Sequence, residues 1–510
     1  MDFEEREKQK KRHLIRVAIA EAGMFFSVVV IVVVAILVAM GFFVSSEGNI
    51  EQSGLAQIHS MPTGGSVELD GATLFARTNL SRTLSAGEHQ IKISRDGYDS
   101  WEKTIKMYSG LLVRLYYPRL FLQNRTVEEV KQLGTSLAFY SVSDGRTSIL
   151  YANEGSAEWE LMNIRGDETR LTKLDLGTIL LGSNETEKKF DGKIEVVEWS
   201  NDDNYVLIRS TVSQKIEWIL VNLKDVAKSL NLTKTFGLNF ERVEMIDGAA
   251  SQLFALENHH LRKINTTDQA ISRVLLDNIL SFDNYAANVI YVAAQTQDDK
   301  TVKRIGVYRD DEKGGTVLRE VEESEKVQVA LTKYYDEDYM IYVVGDKTTV
   351  LYGSVPSYHE GENNDAVANL QILVEDMSLQ AEPDKVAVSP DGEYVVAQKE
   401  NRFMTIDLDM GDLYEYDAGA SGVKWLADGM MYDVDDTSLK VWDFDNTNVR
   451  ILVRVGDEKD NNEDDSSEVT TLSKWPLVKY PVVIANNDKW LYYPVKKENK
   501  VTIMREKIRE

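Results

Sequence analysis

Carboxylates are the residues of this sequence with the greatest chemical potential. The chain of 510 residues has 83 Asp and Glu against 58 Lys and Arg, so carboxylates stand close together in many places. Two carboxylates on either side of a glycosidic bond supply the acid and the base or nucleophile of a glycoside hydrolase. Because so many pairs are available, the sequence favours none of them, and we predict no catalytic residue.

A metal-binding loop is the second chemical possibility. Residues 443–448 read Asp-Phe-Asp-Asn-Thr-Asn, and oxygen ligands at alternating positions suit Ca²⁺. The segment lacks the glycine and the closing glutamate of an EF-hand loop, and it falls where a hairpin is expected. The adjacent His259 and His260 lie between strand-like runs, where neighbouring side chains point to opposite faces. We therefore predict a hairpin at residues 443–448 and a turn or strand edge at His259 and His260. We predict no metal or cofactor site.

The sequence lacks the motifs of several large enzyme classes. It has no Gly-x-Ser-x-Gly elbow, no His-Glu-x-x-His, no Gly-x-x-x-x-Gly-Lys-Ser/Thr loop and no dinucleotide fingerprint. It also has no cysteine, which excludes disulfides, a thiolate nucleophile and a Cys-ligated metal. These absences favour a non-catalytic protein.

One apolar segment predicts where the protein sits. Residues 22–44 contain twenty-three residues without a charge. As a helix they would extend about 34 Å, enough for a hydrocarbon core of about 30 Å. A cleaved signal peptide has an apolar region of only about 7–15 residues, and a buried core helix is seldom apolar over such a length.

The basic residues around this segment predict its orientation. Residues 1–16 hold six Lys and Arg, and the next basic residue is Arg77. Because Lys and Arg accumulate on the cytoplasmic side of a first spanning helix, we predict a cytoplasmic tail at 1–16. We further predict an uncleaved transmembrane signal anchor at 17–44, in contact with the lipid bilayer through residues 22–44, and an extracytoplasmic body beyond it.

The predicted extracytoplasmic body is acidic. Six of the 58 basic and five of the 83 acidic residues precede residue 45, so residues 45–510 hold 52 basic and 78 acidic side chains, a net charge of −26. Such a body repels nucleic acid and other polyanions. We therefore predict no nucleic-acid partner.

Residues 54–118 have the pattern of a small β-domain. Apolar and polar residues alternate around Val67 and Ile91, and hairpin signals follow at Asp70-Gly71 and at Asp96-Gly97. The pattern resembles the PEGA domain, and the residues that carry it are Ser60, Pro62, Gly64, Gly65, Val67, Leu69, Asp70, Gly71, Gly87, Glu88, His89, Ile91, Gly97 and Tyr98.

The resemblance departs from the signature that names the family. Thr63 and Gly65 stand where that signature has Glu and Ala. The resemblance implies an extracytoplasmic β-sandwich that binds surface components and has no catalytic residues. A spacer that lifts the next domain from the membrane is the alternative.

A repeated unit fills residues 126–510. Its clearest copy, at 386–396, reads Val-Ala-Val-Ser-Pro-Asp-Gly-Glu-Tyr-Val-Val, which places a turn between two apolar strands. Eight such turns span 343 residues, or 49 per interval, which matches a propeller blade of about 40–50 residues. The turns lie near Asp144, Asp202, Asp247, Asp283, Asp336, Asp391, Asp428 and Asn487.

The repeated turn resembles those of TolB-like and WD-type propellers. We predict a mainly β protein in which a β-propeller of seven or eight blades occupies residues 126–510; an array of β-sandwiches is the structural alternative. The acidic stretch 457–468 is too polar for a strand and is predicted to be a loop.

These predictions combine into a single-pass bacterial membrane protein of the cell envelope. Its leading function is non-catalytic recognition of a protein or glycan by the propeller. The alternative is an envelope glycan hydrolase that uses a carboxylate pair in the propeller channel, and carboxylates of perturbed pKa in that channel would favour it.

Overall fold

The computed structural model describes residues 20–37, 42–44, 50–181, 189–297, 300–358, 367–417, 424–456 and 471–510. The predicted cytoplasmic tail at 1–16 and the acidic loop at 457–468 lie outside the described residues. The chain divides into two compact units, Met1–Phe121 and Leu122–Glu510.

Helix α1, Ala20–Leu37, is apolar and long enough to cross a membrane. At 1.5 Å per residue its 18 residues extend about 27 Å. The predicted helix over 17–44 is wrong at its end, because Phe42–Val44 form a short strand paired with Ile50, Glu51 and Gln52. Aromatic and β-branched residues favour strands, and this pairing satisfies their backbone groups.

The rest of the first unit consists of two four-stranded sheets. One sheet has the order β1-β2-β5 with β8 parallel to β2, and the other has the order β4-β3-β6-β7. Buried side chains such as Ile58 and Val67 come from both sheets, in agreement with the predicted β-sandwich. The strands are β1 (Phe42–Val44), β2 (Ile50–Ile58), β3 (Ser66–Leu69), β4 (Ala72–Arg77), β5 (Leu80–Ser85), β6 (Gly87–Ser94), β7 (Trp101–Met107) and β8 (Leu112–Leu115).

The described residues of the second unit form eight sheets, each begun by a run of consecutive antiparallel strands. The first four sheets follow strand β9 (Val127–Gln132) and comprise β10 (Leu137–Val142), β11 (Ser148–Asn153), β12 (Glu158–Asn163) and β13 (Arg170–Asp175); β14 (Lys193–Trp199), β15 (Tyr205–Val212), β16 (Lys215–Asn222) and β17 (Leu230–Asn231); β18 (Arg242–Ile246), β19 (Ala249–Glu257), β20 (His260–Asn265) and β21 (Ala270–Ile271); β22 (Ile279–Tyr285), β23 (Asn288–Gln297), β24 (Lys300–Tyr308) and β25 (Thr316–Glu322).

The last four sheets continue the same order along the chain. They comprise β26 (Val327–Tyr334), β27 (Glu337–Val344), β28 (Lys347–Gly353) and β29 (Gln371–Ser378); β30 (Lys385–Val388), β31 (Tyr394–Lys399), β32 (Arg402–Asp407) and β33 (Leu413–Asp417); β34 (Lys424–Ala427), β35 (Met430–Val434), β36 (Ser438–Asp443), β37 (Arg450–Val455) and β38 (Thr471–Ser473); β39 (Val483–Ile484), β40 (Trp490–Lys497) and β41 (Lys500–Lys507). The eighth sheet is completed by β9, which pairs with β41. Short helices α2 (Gly177–Leu181) and α3 (Leu232–Phe236) and a 3₁₀ turn (Val226–Lys228) connect strands.

The repeated turn has the same hydrogen bonds in distant sheets. The Ser200 hydroxyl accepts from the Tyr205 N–H at 2.9 Å, and the Ser389 hydroxyl accepts from the Tyr394 N–H at 2.9 Å. Each turn thus uses a serine to bind the N–H that opens the second strand, which is why Ser recurs before the Asp of the motif.

Seven of the eight predicted turns lie between the first and second strands of a sheet. The turn predicted at Asp283-Asn284 is wrong, because both residues lie within β22. The chain turns instead at Ala286 and Ala287, with φ of 47° and 67°. Alanine rarely adopts this left-handed conformation, so the sequence carries no turn signal there.

Hydrophobic clusters fill the spaces between successive sheets from the first to the seventh. Trp159 of the first sheet and Ile208 of the second share one cluster. Another cluster joins the first sheet to the eighth, through Tyr151 and Tyr492. Each sheet thus shares a hydrophobic cluster with a neighbour, an arrangement consistent with a propeller.

Candidate functional site

A cavity of about 500 Å³ lies where the first strands of the second, third and fourth sheets end. We call it the acid-lined cavity, because each of these strands contributes one carboxylate, namely Glu198, Glu244 and Asp283. Asn201 and Asn284 are further polar residues of its lining.

The three carboxylates occupy equivalent places in their repeats. Each lies three residues before the start of a turn, at Asn201, Asp247 and Ala286 respectively. In β14 this position follows a β-bulge, at which Val197 is the extra residue. Bulges of this kind redirect side chains near the ends of strands and are frequent beside functional sites.

Each carboxylate bonds to the next sheet along the chain. The Met245 N–H donates to Glu198 at 2.7 Å, and the Leu331 N–H donates to Asp283 at 2.8 Å. The Asn284 side-chain amide donates to Glu244 at 2.8 Å. The carboxylates therefore connect the first strands of neighbouring sheets as well as lining the cavity.

The electrostatics of the cavity favour protonated acids. Burial raises the pKa of Glu198 to about 8, and the nearby Glu244 adds to the shift. Burial, with a further contribution from Glu244, raises the pKa of Asp283 to about 7. Arg242 donates to Glu244 at 2.5 Å and so supplies one positive charge to the group. An acid that keeps its proton near pH 7 is able to donate a hydrogen bond or a proton to a ligand.

A second cavity of about 580 Å³ continues from the first. It is lined by β22, β26 and β30 and shares Asp283, Asn284, Tyr285 and Pro390 with the acid-lined cavity. Together the two cavities follow the first strands of five successive sheets. This length suits a ligand with several units better than a single small molecule.

The segment considered for calcium, residues 443–448, forms the turn between β36 and β37. Asp443 is buried and accepts a hydrogen bond from the Asn448 amide at 2.9 Å, while Asp445 accepts from the Thr447 hydroxyl at 2.7 Å. These acids thus bind partners within their own hairpin. Among the residues that the structure describes, no group of three or more His, Asp or Glu side chains is arranged to hold a metal ion.

The histidine pair lies at a turn between β19 and β20. His259 has a φ of 62°, and its Nδ1 is 3.0 Å from the Ile279 carbonyl oxygen. His260 opens β20, with Nε2 3.5 Å from Asp277.

The acid-lined cavity was missed by sequence reasoning. Its signal is the position of an acid three residues before the turn, repeated in three successive units. A turn predicted at Asp283 hides this signal, because the chain turns at Ala286 and Asp283 lies within β22.

Residues 53–119 match the family model described as PEGA domain. This match confirms the resemblance predicted for residues 54–118. No curated protein matches the chain in sequence.

The chain is similar to several solved structures at low sequence identity. They include an oligogalacturonate lyase in complex with manganese (12% identity, 61% of this chain and 88% of that chain, TM-score 0.35) and an oligogalacturonate lyase from Vibrio parahaemolyticus (11%, 75% and 99%, 0.36). A third is apo AztD from Citrobacter koseri (10%, 76% and 94%, 0.35).

Proposed function

We propose that the protein is a membrane-anchored, extracytoplasmic binding protein of the cell envelope, and that its second unit recognises a glycan or a protein segment without catalysis. Helix α1 would hold the chain in the membrane with its amino terminus in the cytoplasm. The PEGA match supports a location outside the cell.

In this proposal the eight sheets are the blades of one closed propeller. The pairing of β9 with β41 and the cluster shared by the first and eighth sheets support closure. The first strands of the blades then line the central channel, and the continuous cavities at their ends form the binding face.

The proposal is supported most directly by the hydrogen bonds that the cavity carboxylates accept. Glu198 and Asp283 each accept a backbone N–H of the neighbouring sheet. Such bonds fix the side chains in a rigid frame, which suits recognition of a ligand by pre-positioned polar groups.

A second candidate function is hydrolysis of an envelope glycan. It is favoured by the raised pKa values of Glu198 and Asp283, near 8 and near 7, because a glycosidase needs one acid that keeps its proton. In that case Glu198 would protonate the leaving group, and Glu244, which accepts a hydrogen bond from Arg242, would be the second carboxylate of the pair.

The test begins with crosslinking of the full chain in intact cells, which identifies the bound glycan or protein. Binding of that ligand is then compared between Val197→Trp, which fills the acid-lined cavity, and Val212→Trp. These valines are 40% and 39% exposed, and only Val197 lines the cavity. We expect Val197→Trp to weaken binding at least tenfold and Val212→Trp to leave it unchanged.

What happens to the bound ligand distinguishes a binding protein from a hydrolase. A glycan that is bound and recovered intact supports a binding protein. Turnover by the wild-type chain that is lost in both Glu198→Gln and Glu244→Gln would replace the binding proposal with the hydrolase. Equal ligand binding by Val197→Trp and Val212→Trp would show that the acid-lined cavity takes part in neither function.

A further inference from the structure

A third, smaller cavity of about 220 Å³ lies between the sixth and seventh sheets. We call it the lysine pocket. It is formed by the first two strands of each sheet, β30 and β31 on one side and β34 and β35 on the other. Its lining residues are Lys385, Ala387, Val396, Gln398, Lys424, Trp425 and Met431.

Two lysines give the pocket a charge opposite to that of the whole protein. Lys385 opens β30 and Lys424 opens β34, so they hold the same place in consecutive repeats. Within the described ranges neither ammonium lies within 4 Å of a carboxylate. The neighbouring Asp384 is engaged elsewhere, with Lys399 at 2.9 Å and Lys326 at 3.6 Å.

The remaining lining is apolar and aromatic. Ala387 and Val396 are directly paired across β30 and β31, as Trp425 and Met431 are across β34 and β35. Trp425 stacks on Tyr394 with ring centroids 5.9 Å apart, which fixes the indole in place. The pocket therefore combines a rigid aromatic wall with two cations.

The two ammonium groups repel each other. Burial, and then the charge of Lys385, lower the pKa of Lys424. Both lysines are exposed to solvent, so an anion in solution can reach them. A bound anion relieves this repulsion, because each lysine then gains an opposite charge at short range.

We infer that the lysine pocket binds one acidic sugar residue, with its anionic group between Lys385 and Lys424 and its ring against Trp425. The volume is below the roughly 300–1,000 Å³ of sites for drug-sized ligands, so it suits a single ring. A carboxylate and a sulfate offer the lysines the same chemistry, whereas the apolar lining favours an anion that carries a ring over a free inorganic ion. The pocket shares Lys385 and Ala387 with the second cavity. The inference still goes beyond the proposed function, since it needs no ligand in the acid-lined cavity.

The test is calorimetric titration of the full chain in detergent with four probes: glucuronate, glucose 6-sulfate, glucose and inorganic phosphate. We expect glucuronate or the sulfated sugar to bind at least tenfold more tightly than glucose or phosphate, and the tighter of the two identifies the anionic group. Glucose binding as tightly as both, or phosphate binding more tightly than both, would overturn the inference.

Matched variants assign the binding to the pocket. Lys385→Glu and Lys424→Glu should each weaken binding of the acidic sugar at least tenfold, and Lys385→Gln several-fold. Lys193 also opens the first strand of its sheet but lines none of these cavities, so Lys193→Glu should bind as the wild type does. Equal affinity in all four variants would place the sugar elsewhere and overturn the inference. Val197→Trp, which tests the proposed function, should leave this binding unchanged.

Discussion

The Glu198 carboxylate accepts a hydrogen bond from the backbone N–H of Met245, 47 residues further along the chain, at 2.7 Å. The same bond recurs between Asp283 and Leu331, 48 residues apart. In both cases an acid at the end of one first strand supplies the acceptor for an N–H of the next one. A half-buried side chain thus connects two repeats without any strand pairing between them.

The first prediction concerns stability and pH at Glu198. Its pKa is about 8 in the folded protein, against about 4.3 in an unfolded chain. The folded state holds the proton more tightly, so this stabilising contribution is fully present below about pH 4 and is lost as the pH rises through about 8. We expect Glu198→Gln, which has no charge to bury, to melt at a higher temperature than the wild type at pH 9 and at nearly the same temperature at pH 5.

The control is Glu195→Gln on the same strand, where an exposed carboxylate faces Arg209 at 3.4 Å. Its melting temperature should follow that of the wild type across the pH range. A Glu198→Gln curve parallel to the wild type would show that Glu198 is ionised without cost in the fold.

The second prediction concerns a buried ion pair. Arg125 Nη1 lies 2.9 Å from Glu506 Oε1, and the two side chains are 1% and 0% exposed. Glu506→Gln leaves a buried guanidinium without its counter-charge, so we expect it to lower the free energy of unfolding by about 3–5 kcal/mol. Glu510→Gln breaks an exposed pair with Lys507 and should leave the free energy of unfolding nearly unchanged. Urea unfolding measures the free energy of unfolding of both variants. Equally small losses in Glu506→Gln and Glu510→Gln would contradict the prediction.

The third prediction concerns Gly392 in the Ser-Pro-Asp-Gly turn. Its φ is 79°, and a Cβ there would lie 2.5 Å from the Lys333 carbonyl oxygen. Gly237 also has a positive φ, of 64°, but has open space around it. In both alanine variants, backbone strain should lower the free energy of unfolding by about 1–2 kcal/mol. Because of the additional clash, we expect thermal unfolding to show a clearly larger loss of stability for Gly392→Ala than for Gly237→Ala. Equal losses would mean that the turn shifts to accommodate the methyl group.

The fourth prediction concerns topology. Because the chain has no cysteine, a single introduced thiol reports on its own location. We expect Thr267→Cys, at an exposed turn, to react with a membrane-impermeant maleimide in intact cells. Gln9→Cys should react only after the membrane is permeabilised. The reverse pattern would invert the orientation inferred from the basic residues of the tail.

The sequence predicted the parts of this protein that depend on local pattern. The Ser-Pro-Asp-Gly copy and the alternation around Val67 and Ile91 identify strands and turns directly, because each depends on neighbouring residues. The end of the apolar helix was misplaced, since Phe42 and Val44 are as apolar as the helix itself. The cavities were not predicted, because residues such as Glu198 and Asp283 meet only when separate repeats pack together, and the acid that recurs before three turns does not by itself show this packing.

Strand β9 pairs with β41, so Glu128 and Arg505 meet at 2.8 Å although 377 residues separate them. Synthesis delivers β9 long before its partner. Until β41 has been made, β9 exposes a row of unsatisfied N–H and C=O groups that proteases and other chains can engage. A product truncated before β41 keeps that edge exposed. The pairing with β41 therefore protects an early strand only in chains that contain both strands.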